Sequence, residues 1–326
     1  MSDIQQENLV ILLGPTASGK TSFSLKLAKY INCEIISADS MQIYKGMDIG
    51  TDKLPEEKRK NPPHHMIDII SPEEEFSVAE YKSQARNKIT EITQKNKLPI
   101  MVGGTGLYIK AVVENYLLPN LPDSNIRKVF YNYAEEWGRK RLYNYLVDID
   151  PEYADRIHYN DLKRVSRALE IYFLTGKTRT FYEYLQEKQP AKYDHLKFGI
   201  WRTRDRLYKR INNRVEEMLD EGLIEEVKYL YNNFELSLTA KQALGYKELI
   251  KYFTEEISLE KAKILIKKRS RNLAKKQLSF FKRDSDIIWI NPDYWNEHEL
   301  TMHLASIVAK KYNLSSIHQL NNNAGI

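Results

Sequence analysis

Apolar residues in this chain fall into short uninterrupted runs separated by longer stretches with apolar positions three and four apart. That alternation is expected of buried parallel strands linked by amphipathic helices. The first run, Leu9 to Leu13, predicts a strand, and Ser22 to Tyr30, apolar at Phe23, Leu25, Leu27 and Ala28, predicts the helix after it. Glu34 to Ala38 predicts a second strand, Val78 to about Asn96 a helix, and Leu98 to Val102 a third strand. Lys197 to Trp201 reads as a further strand, followed by a helix carrying Arg206, Arg210 and Arg214. Lys261 to Arg283 is one long helical pattern, with Leu265 and Leu273 expected to face the core and Phe280 or Phe281 with them. A last strand, Asp286 to Ile290, and a helix around His298 to Lys311 close the pattern. From Tyr116 to Tyr193 the texture changes to helical, aromatic and charged, with Pro119 and Pro122 at its entrance and Pro190 at its exit.

Between the first strand and helix lies Gly14-Pro15-Thr16-Ala17-Ser18-Gly19-Lys20-Thr21, which fits the phosphate-loop pattern G-x-x-x-x-G-K-[ST]. Strand, loop, Lys-Thr and helix come in the order that lets unpaired backbone N–H groups converge on an anion. Gly14, Thr16, Ala17, Ser18, Gly19, Lys20 and Thr21 are therefore the expected phosphate-binding residues, with the Thr21 hydroxyl holding magnesium against phosphate oxygens. The expected fold is α/β, a P-loop NTPase-like parallel sheet flanked by helices. Its core would comprise residues 1–115 and 196–315, interrupted by a mostly helical insertion at 116–195 and followed by a disordered tail at 316–326.

Asp39 follows the second strand and would emerge at the carboxyl edge of the sheet, beside the loop. A helix N-cap is the competing role for an Asp followed by Ser. The third strand ends in Gly103-Gly104-Thr105-Gly106, where an NTPase usually places a magnesium-holding Asp. Those glycines serve either a ligand-contacting loop or a tight turn. His64-His65 has no third ligand at useful spacing, so a structural or substrate-positioning role is expected. In the insertion, Lys163, Arg164 and Arg167 form either a basic helix edge or a solvated face. The row Arg206, Arg210, Arg214 suits an oxyanion leaving group, unless Glu216, Glu217 and Asp220 pair with part of it.

With 42% hydrophobic and 29% charged residues, composition is that of ordinary globular protein, and 326 residues allow two domains. The net charge of +6 points to an anionic partner. Lys261 to Arg283 is dense in Lys and Arg and nearly free of acids, and within it Lys275-Lys276-Gln277-Leu278-Ser279-Phe280-Phe281-Lys282-Arg283 interleaves cations with aromatics, a combination favouring nucleic acid over a small anion. Cys33, the only cysteine, excludes an internal disulfide and is expected to be a buried apolar filler. Met1 to Asn8 lacks the order of a signal peptide and no apolar run approaches the roughly 20 residues of a membrane span, so a cytoplasmic setting is expected.

Taken together, the motifs resemble those of the bacterial-type tRNA dimethylallyltransferases, also called tRNA isopentenyltransferases, from the first strand to about Ile290. The resemblance rests on Gly14 to Thr21, Asp39 to Tyr44 with Gly46 to Thr51, Gly103 to Tyr108, Arg156-Ile157-His158 with Asn160-Asp161, and Gln242 to Tyr246. It implies transfer of a five-carbon allylic group from dimethylallyl diphosphate to the exocyclic amine of the adenosine just 3′ of the anticodon. The tRNA anticodon arm is the implied partner, with magnesium as cofactor. By resemblance Asp39 is the base, with Thr105 and Arg210 as further catalytic residues. The implied tRNA contacts are Asp39, Ser40, Met41, Gln42, Thr105, Arg127, Lys163, Arg164, Arg167, Lys241, Gln242, Gly245, Tyr246, Lys275, Lys276, Gln277, Phe280 and Lys282. No protein partner is implied, and a monomer is expected. Departures from the family pattern are Phe280-Phe281 where many relatives carry Trp, and lysine for arginine at Lys163, Lys241, Lys276 and Lys282. A small-molecule kinase, an RNA-binding module without catalysis, and allyl transfer to free adenine nucleotides are the competing readings.

Overall fold

The computed structural model describes residues 6–114, 117, 125–187 and 190–314. Pro119, Pro122 and the tail 316–326 lie outside them. Contacts divide the chain into two compact units, Met1–Val112 with Lys192–Ile326, and Val113–Ala191.

The first unit is built on six strands, β1 (Glu7–Leu13), β2 (Cys33–Ala38), β3 (His64–His65), β4 (Leu98–Gly103), β5 (Tyr193–Ile200) and β6 (Ile287–Ile290). They form one sheet in the order β3-β2-β4-β1-β5-β6, with every pair parallel. Helices α1 (Lys20–Leu27), α2 (Val78–Gln94) and α3 (Gly106–Val113) follow the early strands. The second unit holds α4 (Ile126–Trp137), α5 (Arg139–Ile149), α6 (Pro151–Asp155), α7 (Leu162–Thr175) and α8 (Arg179–Glu187). Back in the first unit come α9 (Arg204–Asp220), α10 (Leu223–Asn233), α11 (Leu238–Lys241), α12 (Tyr246–Phe253), α13 (Leu259–Phe281) and α14 (Glu297–Tyr312). Among the described residues no helix is long and apolar enough to cross a membrane.

Strand β1 is central because all five of its apolar residues, Leu9 to Leu13, are buried, which suits a strand covered on both faces. Each such side chain stabilises the fold by roughly 1.5–3 kcal/mol. One face of the sheet packs on Phe23, Leu27, Leu300, Leu304 and Val308 of α1 and α14, with Cys33 in the same cluster. Burial raises the Cys33 thiol pKa to about 12, which makes it an inert filler. A second cluster gathers Ile43, Tyr44 and Met47 with Val227, Leu230, Tyr246, Leu249 and Ile266 from α10, α12 and α13. The second unit has its own core of Phe130, Leu142, Leu146, Val165 and Leu169.

In α13 the buried stripe is Ala262, Ile266, Ser270, Ala274 and Phe281. Leu273, expected in the core, is 39% exposed, and of the two phenylalanines only Phe281 is buried. A long helix presents one stripe inward, and the 3.6-residue period from Ile266 through Ala274 leaves Leu273 off it.

The β2–β4 pair brings Ala38 level with Gly103. A Cβ on Gly103 would lie 2.1 Å from the Ala38 carbonyl oxygen, so only glycine lets the strands close here. Gly103→Ala is expected to destabilise the protein by about 1–3 kcal/mol in urea unfolding, since backbone must shift to admit the methyl group. Unchanged stability would show that the pairing has slack.

Past β2 the chain is tied down by Lys53, whose buried ammonium donates to the Tyr44 carbonyl (2.6 Å), Asp48 (2.8 Å) and Asp68 (2.5 Å). Arg59 also pairs with Asp68 at 2.6 Å. Burial opposes ionisation of Asp68, but Lys53 and Arg59 outweigh it and hold its pKa below the usual value. A depressed native pKa means that this stabilisation is complete above the unfolded value of about 4 and is lost as pH falls through the native one. The stability gap between wild type and Asp68→Asn is therefore expected to be widest near neutrality and to shrink on acidification below pH about 4. A gap that grew on acidification would reverse the assignment.

Candidate active site

Residues Gly14 to Gly19 form the turn between β1 and α1. Gly14 has φ +146° and a Cβ there would meet the Ile200 carbonyl oxygen at 2.3 Å, so the end of β5 lies directly against the loop. Ala17 and Gly19 also have positive φ, at +60° and +104°. The loop thus curls tightly before α1 starts at Lys20, and the amides of the first helical turn have no intrahelical acceptor. Lys20 folds back so that Nζ donates to the Pro15 carbonyl at 2.7 Å. Burial is the main reason its ammonium pKa is lowered to about 8, with Arg214 adding to the effect and Asp39 and Asp52 opposing it.

Three arginines, one from the β5–α9 connection and two from α9, grip this loop in succession. Arg202 Nε donates to the Ser18 carbonyl (3.0 Å), Arg210 Nε to the Ala17 carbonyl (2.9 Å) and Arg214 to Thr16 Oγ1 (2.6 Å). Their acidic partners are Asp293, which pairs with Arg202 and, at 3.3 Å, with Arg206, and Asp52, 3.2 Å from Arg214. None of the acids following the row on α9 takes this role, and Glu216 instead pairs with Lys267. Among the described residues no carboxylate pairs with Arg210, so its terminal nitrogens remain available to an anion.

Gln277 of α13 closes the opposite side. Its Oε1 accepts from Thr16 N at 2.8 Å and its Nε2 donates to the Gly104 carbonyl at 3.0 Å, tying the phosphate loop to the end of β4. A Cβ on Gly104 would approach the Gln277 amide nitrogen to 2.4 Å. Gln277 thus has its amide engaged within the protein, and Gly104 is glycine to admit it.

Asp39 leaves β2 in a turn, not at the start of a helix. Its Oδ1 accepts from Met41 N at 2.9 Å, while no donor among the described residues reaches Oδ2. Thr105 fixes this turn: its Oγ1 accepts from Ser40 N at 3.1 Å and its own N–H reaches the Ala38 carbonyl at 3.1 Å. Gln42 is held at both ends, Oε1 accepting from Ser37 Oγ (2.9 Å) and Nε2 donating to the Thr51 carbonyl (3.1 Å). The hydrogen-bonding capacity of Gln42 is therefore spent on shaping the turn.

A cavity of about 500 Å³, within the usual range for small-molecule sites, joins these parts inside the first unit. Lys20, Thr21, Arg210 and Arg214 line its cationic side, Asp39 and Gln42 another wall, and Ile35, Val102, Ile211, Val215, Met218 and Leu273 supply apolar surface. His64 also lines it, with Nδ1 2.7 Å from the Pro62 carbonyl. Its neighbour His65 is turned away onto Glu34 at 2.7 Å. Among the described residues no three His, Cys, Asp or Glu side chains cluster as a metal site. The Thr21 hydroxyl on the cationic wall fits only a metal that arrives with phosphate oxygens, as magnesium commonly does.

The other sequence-predicted residues are scattered more widely. In the second unit Arg127 and Arg167 both reach Glu170 at 2.6 Å, whereas Lys163 and Arg164 are exposed, Arg164 lying 3.4 Å from Asp161. In the first unit Lys241 ends α11, and Gln242 is exposed and accepts from Lys247 at 2.5 Å. Gly245, at φ +93°, donates its N–H to Glu248 at 2.8 Å. Tyr246 is fully buried, with its hydroxyl 2.5 Å from Glu226, so it acts inside the protein. Lys275 and Lys276 are exposed on α13, as is Lys282 just past its end, and the ring of Phe280 covers Gly106. Sequence reasoning missed Asp52, Asp293 and Glu226. Their main side-chain partners lie far off in sequence, 91 residues for Asp293 with Arg202 and 178 for Glu226 with Asp48, so no local spacing marks them.

The chain matches the family described as IPP transferase over residues 42–284. It is 53% identical over 286 residues to the tRNA dimethylallyltransferase of Halothermothrix orenii, covering 87% of each chain. It is 46% identical to that of Anoxybacillus flavithermus, covering 87% of this chain and 90% of the relative. The crystal structure of the tRNA isopentenylpyrophosphate transferase of Bacillus halodurans superposes with a TM-score of 0.72 at 40% identity, covering 94% and 97% of the two chains. A eukaryotic dimethylallyltransferase acting on tRNA gives a TM-score of 0.80 at 28% identity, covering 94% of this chain and 80% of that one. A parallel sheet bearing a phosphate loop, a carboxylate turn at the same edge, and matches along nearly the whole length therefore agree, and the chain belongs to the IPP transferase family.

Proposed function

We propose that this enzyme transfers the dimethylallyl group of dimethylallyl diphosphate to the N6 amine of the adenosine 3′-adjacent to the anticodon of tRNA, releasing diphosphate. The observation that carries this reading is a single cavity with a cationic phosphate loop on one wall and the Asp39 carboxylate on another, while β4 ends in glycines where phosphoryl transfer would use a metal-holding Asp.

In the reaction the allylic carbon–oxygen bond breaks, its electron pair leaves with the diphosphate, and the adenine nitrogen forms the new bond to that carbon. Negative charge grows on the leaving group, where the α1 amides, Lys20 and Arg210 stabilise it more in the transition state than in the ground state. The Thr21 hydroxyl would help hold magnesium, which would supply further charge neutralisation when bound. The adenine amine is a poor nucleophile because its lone pair is delocalised into the ring, so Asp39 takes its proton as the bond forms. Apolar walls at Ile211, Val215 and Leu273 suit a hydrocarbon tail and keep water from the carbocation-like carbon.

Exposed cations on α13 and at its end (Lys275, Lys276, Lys282) and on α7 (Lys163, Arg164) offer phosphate contacts, and the exposed ring of Phe280 offers a stacking surface. Extruding a base costs a few kcal/mol of stacking, less in a loop than in a duplex, and such contacts can offset it. Lysine in place of arginine retains phosphate attraction but gives up bidentate geometry.

The test is incubation of the protein with magnesium, labelled dimethylallyl diphosphate and unmodified tRNA, followed by digestion to nucleosides. Label in N6-alkylated adenosine is expected. Consumption of ATP with no labelled nucleoside would favour a small-molecule kinase instead.

A further inference from the structure

We propose that Glu226, which stands behind the cavity wall, is a positioning residue for this reaction: it sets the conformation of residues 48–52, and through them fixes both the Asp39 turn and the phosphate loop. The inference rests on the function proposed above.

The carboxylate of Glu226, on α10, collects four donors. Its Oε2 accepts from Asp48 N (2.9 Å) and Ile49 N (2.7 Å), and its Oε1 from Gly50 N (3.1 Å) and the Tyr246 hydroxyl (2.5 Å). An ionised carboxylate has about four acceptor sites, so its capacity is filled. Three consecutive amides turned onto one carboxylate define a backbone conformation, not merely a contact. Gly50 is glycine because a Cβ would sit 2.4 Å from the Tyr246 ring. Lys53 stakes the far end of the segment through Tyr44, Asp48 and Asp68.

Between these two anchors the chain reaches the site. The Thr51 and Asp52 carbonyls accept from Gln42 Nε2 at 3.1 and 3.4 Å, and Gln42 in turn accepts from Ser37 Oγ just before Asp39. The Asp52 carboxylate pairs with Arg214 at 3.2 Å, and Arg214 donates to Thr16 Oγ1 at 2.6 Å. Gly50, Thr51 and Asp52 line the cavity, whereas Glu226 does not. One segment thus connects to the base on one side and the leaving-group loop on the other. Allyl transfer requires both at once, so a shift of that segment acts on the distance between them.

The experiment is a double-mutant cycle on the kcat for allyl transfer to tRNA, using Glu226→Gln and Asp52→Asn. Glu226→Gln keeps the volume but faces a donor with a donor, and Asp52→Asn weakens the tie to Arg214 at an exposed position. Each is expected to lower kcat about tenfold, the scale of a sub-ångström misplacement, with the KM for tRNA within about twofold of wild type. Because both act through one segment, the double variant should also be down about tenfold. Tyr246→Phe, which removes one donor of four, replaces Glu226→Gln in the cycle if that variant does not fold. A double variant down about a hundredfold, the product of independent effects, overturns the proposal. Wild-type kcat in folded Glu226→Gln does the same. A wild-type protein that transfers no allyl group to tRNA overturns the functional reading as well, an outcome distinct from active enzyme without coupling.

Discussion

Asp39→Asn is expected to lower kcat for allyl transfer by about 10²- to 10⁴-fold, the usual contribution of a positioned general base. The substitution is close to isosteric and keeps the oxygen that accepts from Met41 N, so the turn after β2 should survive. What disappears is the capacity to take the amine proton at Oδ2. Affinity for tRNA comes mostly from contacts to phosphate and sugar, so the dissociation constant measured without dimethylallyl diphosphate should move by no more than about twofold. Single-turnover alkylation alongside equilibrium tRNA binding separates the two. If binding weakens as much as the rate falls, Asp39 is a tRNA contact and the base lies elsewhere.

Lys20→Ala should act on the other half of the chemistry. It removes the ammonium nearest the expected leaving group and the tie to the Pro15 carbonyl that keeps the loop curled. A lost donor to a developing oxyanion costs about 10²- to 10³-fold. The loss should fall on kcat/KM for dimethylallyl diphosphate, and binding of inorganic diphosphate, followed by calorimetry, should weaken in parallel. Affinity for tRNA should stay near the wild-type value. Unchanged diphosphate binding in a folded variant would move the leaving-group site away from this loop.

These two experiments probe the part of the site most legible in the sequence. The phosphate loop is a contiguous eight-residue word whose neighbours, an apolar run and an amphipathic helix, predict its conformation. Observed α1 begins at Lys20, two residues before the predicted start, because the loop's last turn is already helical. The strands were readable for the same reason, since a strand buried on both faces must be continuously apolar over a few residues. The two-residue β3 was not, because two histidines carry no such pattern and pair only where β2 provides an edge.

Ligand-facing residues on long helices were less legible. Apolar character alone counts Leu273 as core, yet the structure sets it against the cavity, since a site that takes a hydrocarbon must be lined with the same side chains as a core. Tyr246 shows the converse. Its place in a family motif invites a contact role, whereas its buried hydroxyl serves Glu226.

By itself, the sequence determined the parallel α/β plan, the phosphate loop with Lys20 and Thr21, the emergence of Asp39 at the sheet's carboxyl edge, and the basic-aromatic character of α13. Each depends on residues close together in the chain, where backbone geometry and side-chain period act directly. Only the tertiary structure decided which arginine meets which acid, that Gln277 clamps Thr16 to Gly104, and that Glu226 gathers the amides of residues 48–50. Ion pairs and side-chain-to-backbone hydrogen bonds have no sequence period. Their partners are chosen by the crossing of elements as much as 303 residues apart, once burial of the apolar runs has fixed where those elements lie.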